Sequence, residues 1–239
     1  MRTAALACLL PLAFATSAAH AAPAAAPATQ VAVVDDELVY MGELDEQASQ
    51  RLFALYEDRK DKPTTLSILS RGGPVLAGIA LGRWVRAHKL DVKVLEYCMS
   101  SCANYVFPAG ARKIVSNFAV IGFHGGAAST AAMFEQAVKE KPTPELQAVL
   151  GDMRRSFARQ TQAEQAYLKE IGVRADMVSL GQQERYQQAY RDDPKVVGWT
   201  YTLEDFGRMG VHGIEVINPP WQPGSALKKV SFATLKLDD

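Results

Sequence analysis

The feature that most constrains this chain is a run of five strand-like residues, Thr65–Leu69, leading straight into Ser70-Arg71-Gly72-Gly73. A helical pattern then follows, with Val75, Ile79 and the group Leu81, Trp84 and Val85 on its inner side through His88. A buried strand, a glycine turn and a helix in that order form the first half of a βαβ unit. Val92 and Val94 mark another strand ending near Tyr97. Ser100–Ala109 reads as a short helix stopped by Gly110, and Ile114–Val115 and Phe118–Phe123 return to strand character. Strand, helix, strand, helix, strand predicts right-handed crossovers and a mostly parallel sheet, an α/β fold.

Upstream, Val31–Val34 and Leu38–Met41 flank an Asp35-Asp36 turn. Leu44, Ala48, Leu52 and Leu55 recur at helical spacing and predict a helix over 43–58. Downstream, Leu146, Val149, Leu150, Met153 and Phe157 define one face of a helix over about 143–170. Its length and its distance from the glycine turns predict an arm, about 127–190, that protrudes from the sheet. Pro219, Pro220 and Pro223 predict an irregular tail over 218–239 before a last strand-like piece at Val230–Leu237, so the folded domain is read as 31–217.

The first 21 residues read as an export signal. Arg2 precedes an apolar stretch, Ala4–Ala15, and Ala19-His20-Ala21 is a cleavage signal that places the cut after Ala21. Residues 22–30 are a Pro/Ala linker. No later stretch has the length and apolarity of a membrane helix. The expected location is therefore the periplasm or the exterior. The chain carries 26 basic and 26 acidic residues. Arg2 is the only charged residue in the leader, so its loss leaves 25 against 26 and a formal charge of −1. That balance supplies no electrostatic basis for nucleic-acid binding.

Three positions carry chemistry. Gly72-Gly73 lets backbone N–H groups approach a ligand beside a helix start. Ser100-Ser101 lies between a strand and a helix, and His124 follows a strand and precedes Gly125-Gly126. Taken together they offer a nucleophile, a base and an oxyanion site. Taken singly, each has a plainer reading: a structural turn, a helix N-cap and a packed histidine. Cys98 and Cys102 bracket the serines as Cys-Met-Ser-Ser-Cys. In an exported protein the pair is read as a disulfide bracing that turn, the alternative being two small buried apolar residues. Two cysteines and one nearby histidine do not make a zinc pattern, and no metal or cofactor is expected.

The segment Glu37–Gly126 resembles the proteolytic subunit of the Clp protease, in the ClpP/crotonase superfamily. Leu38-Val39-Tyr40-Met41-Gly42 resembles that family's strand and glycine before its first helix. Ser70-Arg71-Gly72-Gly73, followed by Ala77-Gly78, is similar to its N-S-P-G-G-x-x-x-A-G stretch. Ser101 lies eight residues before Ala109-Gly110, the family's spacing from nucleophile to Ala-Gly, which selects Ser101 over Ser100. His124 stands where the family's catalytic histidine stands, and Leu203–Val211 resembles its closing helix.

The resemblance implies a ClpP/crotonase-like spiral of βαβ units. It also implies a serine hydrolase, a peptidase on peptides or unfolded polypeptide, with Ser101 as nucleophile and His124 as base. The backbone N–H groups of Gly73 and Cys102 would form the oxyanion hole. The arm resembles the helix through which the family's subunits pair, which implies a homo-oligomer. Export removes any cytoplasmic ATPase partner.

The family's triad aspartate maps near Val197-Gly198, where this chain has no acid. Asp193, or alternatively Asp192, is the nearest substitute; otherwise the pair works as a dyad or with another polar group. Two other functions remain open: an esterase using the same pair, and a non-catalytic binding or assembly module on the same fold.

Overall fold

The computed structural model describes residues 28–138 and 143–237. The expected export signal and most of the linker lie outside them. Strands β1 (Gln30–Val34) and β2 (Glu37–Met41) form a hairpin. Asp35 and Asp36 turn it with φ of 47° and 61°, the left-handed pair that a tight hairpin uses. Asp45 then caps α1 (Glu46–Glu57) by accepting from the Ala48 N–H at 2.7 Å. β3 (Thr65–Leu69), α2 (Val75–Ala87) and β4 (Asp91–Val94) follow in the expected order. With β6 (Lys113–Ser116) and β9 (Ile214–Ile217) they complete a six-stranded sheet ordered β1-β2-β3-β4-β6-β9. Every pairing after the first hairpin is parallel.

The strand expected from Val92 to Tyr97 is two strands. β4 ends at Val94, and β5 (Tyr97–Met99) leaves the large sheet to pair in parallel with β7 (Val120–Gly122). β5 also touches the end of β3, where Met99 N–H donates to Ser70 O at 2.9 Å. A second small layer therefore forms at one end of the large sheet. The helix expected over Ser100–Ala109 is likewise composite, a wide turn at Cys102–Val106 closing into a tight one at Phe107–Ala109. Pro108 has no N–H to donate, and the Phe107 N–H reaches back to Cys102 O.

The arm is built from α3 (Ala127–Ala137) and α4 (Pro144–Glu170), and only part of it protrudes. The last turns of α4 dock on α2, burying Tyr167 and Leu168 completely. Gly78 and Gly82 of α2 admit the rings of Tyr105 and Tyr167, and the Tyr167 hydroxyl donates to Tyr105 O at 2.8 Å. The first half of α4 leaves Leu146, Val149 and Met153 exposed. α3 braces it through a Phe134–Phe157 ring contact at 5.1 Å and the pair Arg154–Glu135 at 2.7 Å.

Beyond α5 (Gln187–Asp192) comes a strand absent from the sequence reading, β8 (Val196–Tyr201), and then α6 (Leu203–Arg208). Phe123, just past β7, pairs antiparallel with Trp199 of β8. β10 (Ser231–Leu235) adds to β8 in parallel. The tail thus belongs to the body, and the domain extends past the expected limit at residue 217. Phe123, Trp199, Tyr201 and Phe206 fill the space between the layers. Among the described residues no helix is long and apolar enough to cross a membrane.

Candidate functional site

β3, β5 and β7 run side by side in one sense, and the loop after each carries one of the chemical motifs. Ligands bind at the carboxyl ends of parallel strands because loops and helix starts converge there. After β3, Gly72 has φ +101°. Its N–H donates to Ser70 Oγ at 3.1 Å, and its carbonyl accepts from Leu44 N–H at 2.7 Å. After β5, Ser100 takes φ +54°, unusual for a side-chain-bearing residue, and its N–H donates to Gly122 O at 2.8 Å. After β7 come His124 and Gly125, whose carbonyl accepts from Asn104 Nδ2 at 3.0 Å. The Ser100–Asn104 segment therefore grips the His124 loop on both sides, at Gly122 and at Gly125.

Cys98 and Cys102 form a disulfide, with Cα atoms 5.2 Å apart. Both are fully buried, and the bridge spans the turn that carries Ser101.

Ser101 is 3% exposed, and its hydroxyl donates to the carbonyl of Gly73 at 2.7 Å. His124 is exposed. Its backbone carbonyl accepts from Gln182 Nε2 at 3.2 Å, and its imidazole has no hydrogen-bond partner among the described residues. Serine and histidine thus stand on neighbouring, interlaced loops without a bond between them. The N–H groups of Gly73 and Cys102, the oxyanion donors implied by the resemblance, have no acceptor among the described residues.

Neither candidate for the acid is hydrogen-bonded to the histidine. Asp193 accepts from Lys195 N–H at 2.8 Å and from Ser231 Oγ at 3.3 Å. Asp192 accepts from Gln188 Nε2 at 2.6 Å. The strand that does run beside His124 is β8, with Phe123 and Trp199 exchanging both backbone hydrogen bonds at 2.8 Å. Val197 and His124 line the same cavity of about 680 Å³ with Glu184, Tyr190 and Arg191. Val197, in the stretch onto which the resemblance maps the family's acid, thus shares a cavity with His124 and carries no carboxylate. Gly198 could not carry a side chain there, because an added Cβ would collide with Phe123 O.

His124 also borders a cavity of about 410 Å³ lined by Met133, Phe134 and Phe157, between the α3–α4 arm and the loop. A groove of about 950 Å³ runs along the other side of Gly72-Gly73 past Arg71 and Tyr97. No group of three His, Cys, Asp or Glu suited to a metal occurs among the described residues.

The sequence reading missed Asn104, Gln182 and Glu164. Glu164 is 3% exposed. Its one sequence signal is a charged residue standing four before Leu168 and seven after Phe157, on the apolar stripe of α4. A scan against protein-family models finds no match for this chain, and a search of curated proteins finds none either.

Proposed function

We propose that this chain is an exported serine hydrolase of the ClpP/crotonase superfamily, acting as a peptidase on short or unfolded polypeptide. The observation that carries the reading is the lacing of the Gly72-Gly73, Ser101 and His124 loops at the ends of three parallel strands. Ser100 N–H to Gly122 O and Asn104 Nδ2 to Gly125 O hold the serine turn against the histidine loop.

In this mechanism the Ser101 hydroxyl leaves Gly73 O by a rotation about χ1, one staggered well to another. Its oxygen attacks the substrate carbonyl while His124 takes the proton. The oxyanion is met by the free N–H groups of Gly73 and Cys102; one such donor contributes roughly 10²–10³ in rate. His124 returns the proton to the leaving amine, and water then cleaves the acyl-enzyme by the same route.

The reading takes the site as a dyad, because Val197 fills the acid's place beside His124. Export, supported by the disulfide, leaves substrates that need no ATP-driven unfolding. Homo-oligomerisation belongs to the same reading, supported by Leu146, Val149 and Met153 exposed along the first half of α4.

A second reading, a non-catalytic binding module, is favoured by the Ser101–Gly73 O bond and by the missing acid. Hydrolysis of fluorogenic peptides and of short acyl esters by wild type and Ser101→Ala separates the readings. The expected result is peptide cleavage that Ser101→Ala abolishes. Cleavage of esters alone identifies an esterase, and cleavage of neither favours the module.

A further inference from the structure

Glu164 lies deep in the protein with no cation beside it among the described residues. A buried carboxylate without a counter-ion is costly unless hydrogen bonds replace its water. Here the replacements come from two places. The Tyr105 hydroxyl donates to Oε2 in a short hydrogen bond, and the Ala127 N–H donates to Oε1 and Oε2 at 3.1 and 3.0 Å. Burial and the Glu164 charge push the Tyr105 phenol well above its ordinary value, so it remains a donor at any pH the fold meets. Ala127 opens α3, where the helix dipole favours a negative charge. The loop gives up a side chain for this contact, since a Cβ on Gly126 would strike both carboxylate oxygens.

The two donors come from the two segments that carry the proposed chemistry. Tyr105 is four residues after Ser101, on the same helical turn, and Ala127 is three residues after His124. The remaining direct ties between these segments flank His124, at Gly122 and Gly125, and Glu164 adds the one furthest downstream, at Ala127. The Asn104 amide makes the Gly125 tie with Nδ2, while its Oδ1 is buried without a partner. We propose that Glu164 is the positioning residue of the site. From the arm helix, its carboxylate holds the Ser101 segment and the downstream end of the His124 loop at a fixed separation. This inference rests on the hydrolase reading for its effect on rate, but not for its effect on the loop.

The test compares wild type with Glu164→Gln and Tyr105→Phe by two measurements. One is the rate at which a fluorophosphonate labels Ser101. The other is the set of His124 imidazole ¹⁵N resonances, assigned with His124→Gln. Misplacing a reacting group by about 1 Å costs on the order of 10²-fold, so each variant is expected to label at least about tenfold more slowly. In each, the His124 resonances are expected to move, and the double variant is expected to be no slower than the slower single one.

Tyr105→Phe keeps the ring in its place, so it decides the matter should Glu164→Gln fail to fold. A lower melting temperature with unchanged labelling and unchanged His124 resonances overturns the proposal. If wild type is not labelled at all, the hydrolase reading falls. The resonances then decide alone: a shift upholds the positioning role, and no shift overturns it.

Discussion

Gly72→Ala is expected to abolish labelling and hydrolysis at Ser101 and to destabilise the fold by about 2–4 kcal/mol, from backbone strain and overpacking together. At φ +101° an L-residue is strained whatever the space around it. Here there is no space either: an added Cβ would lie 2.6 Å from Ser100 Cβ, 2.8 Å from Met99 O and 2.9 Å from Ser101 N. Neither backbone atom has freedom to retreat. Met99 N–H is bonded to Ser70 O at 2.9 Å and Ser100 N–H to Gly122 O at 2.8 Å. The relief therefore comes from moving the serine turn itself. Gly172→Ala is the control, because Gly172 has φ +75° and nothing within 4 Å of an added Cβ. It should cost only the conformational penalty, about 1–2 kcal/mol, with no change in labelling. The midpoints of urea unfolding, compared at equal slope, measure both. A Gly72→Ala protein that labels at the wild-type rate would show that the turn does not set the serine.

Replacing both Cys98 and Cys102 by alanine should lower stability by about 2 kcal/mol, the chain-entropy value for so short a loop, and should slow labelling at Ser101 by at least about tenfold. The second effect distinguishes a brace from a mere staple. Cys98 is anchored between Ser70 and Ile121 across two strand neighbours, and Cys102 begins the helix immediately after Ser101. The bridge therefore ties a fixed strand to the residue whose N–H is the proposed oxyanion donor. Thiol titration of residues 22–239, denatured and unreduced, should find no free cysteine. Two free thiols would remove the bridge from the account, and full labelling in the double alanine variant would leave it a stabilising role alone.

Local patterns carried much of the fold. The Asp35-Asp36 turn, Thr65–Leu69, α2 and the span of α4 all follow from periodicity and breakers. What α4 packs against was illegible, because the room that Gly78 and Gly82 leave has meaning only once Tyr105 and Tyr167 are seen against them. β8 went unread because Gly198 interrupts its pattern. That glycine exists to admit Phe123 O, a contact made across roughly 75 residues of chain and invisible to any local rule. The same long-range contact brings Val197 and His124 to one cavity, a proximity that no local pattern shows. The Gly72, Ser101 and His124 loops were legible as three strand-end motifs. Their lacing through Asn104 and Glu164 was not, since a buried carboxylate on a helix stripe acquires meaning only from its donors.

The most direct measurement is labelling of the purified protein with a fluorophosphonate probe, beside Ser101→Ala, Ser100→Ala and His124→Ala. Such a probe bonds only to an activated serine oxygen. We predict labelling of wild type and Ser100→Ala, none of Ser101→Ala, and a loss of at least about 10²-fold in His124→Ala. Absence of labelling in the folded wild-type protein, tested in its native oligomeric state, would contradict the hydrolase account and favour a binding module.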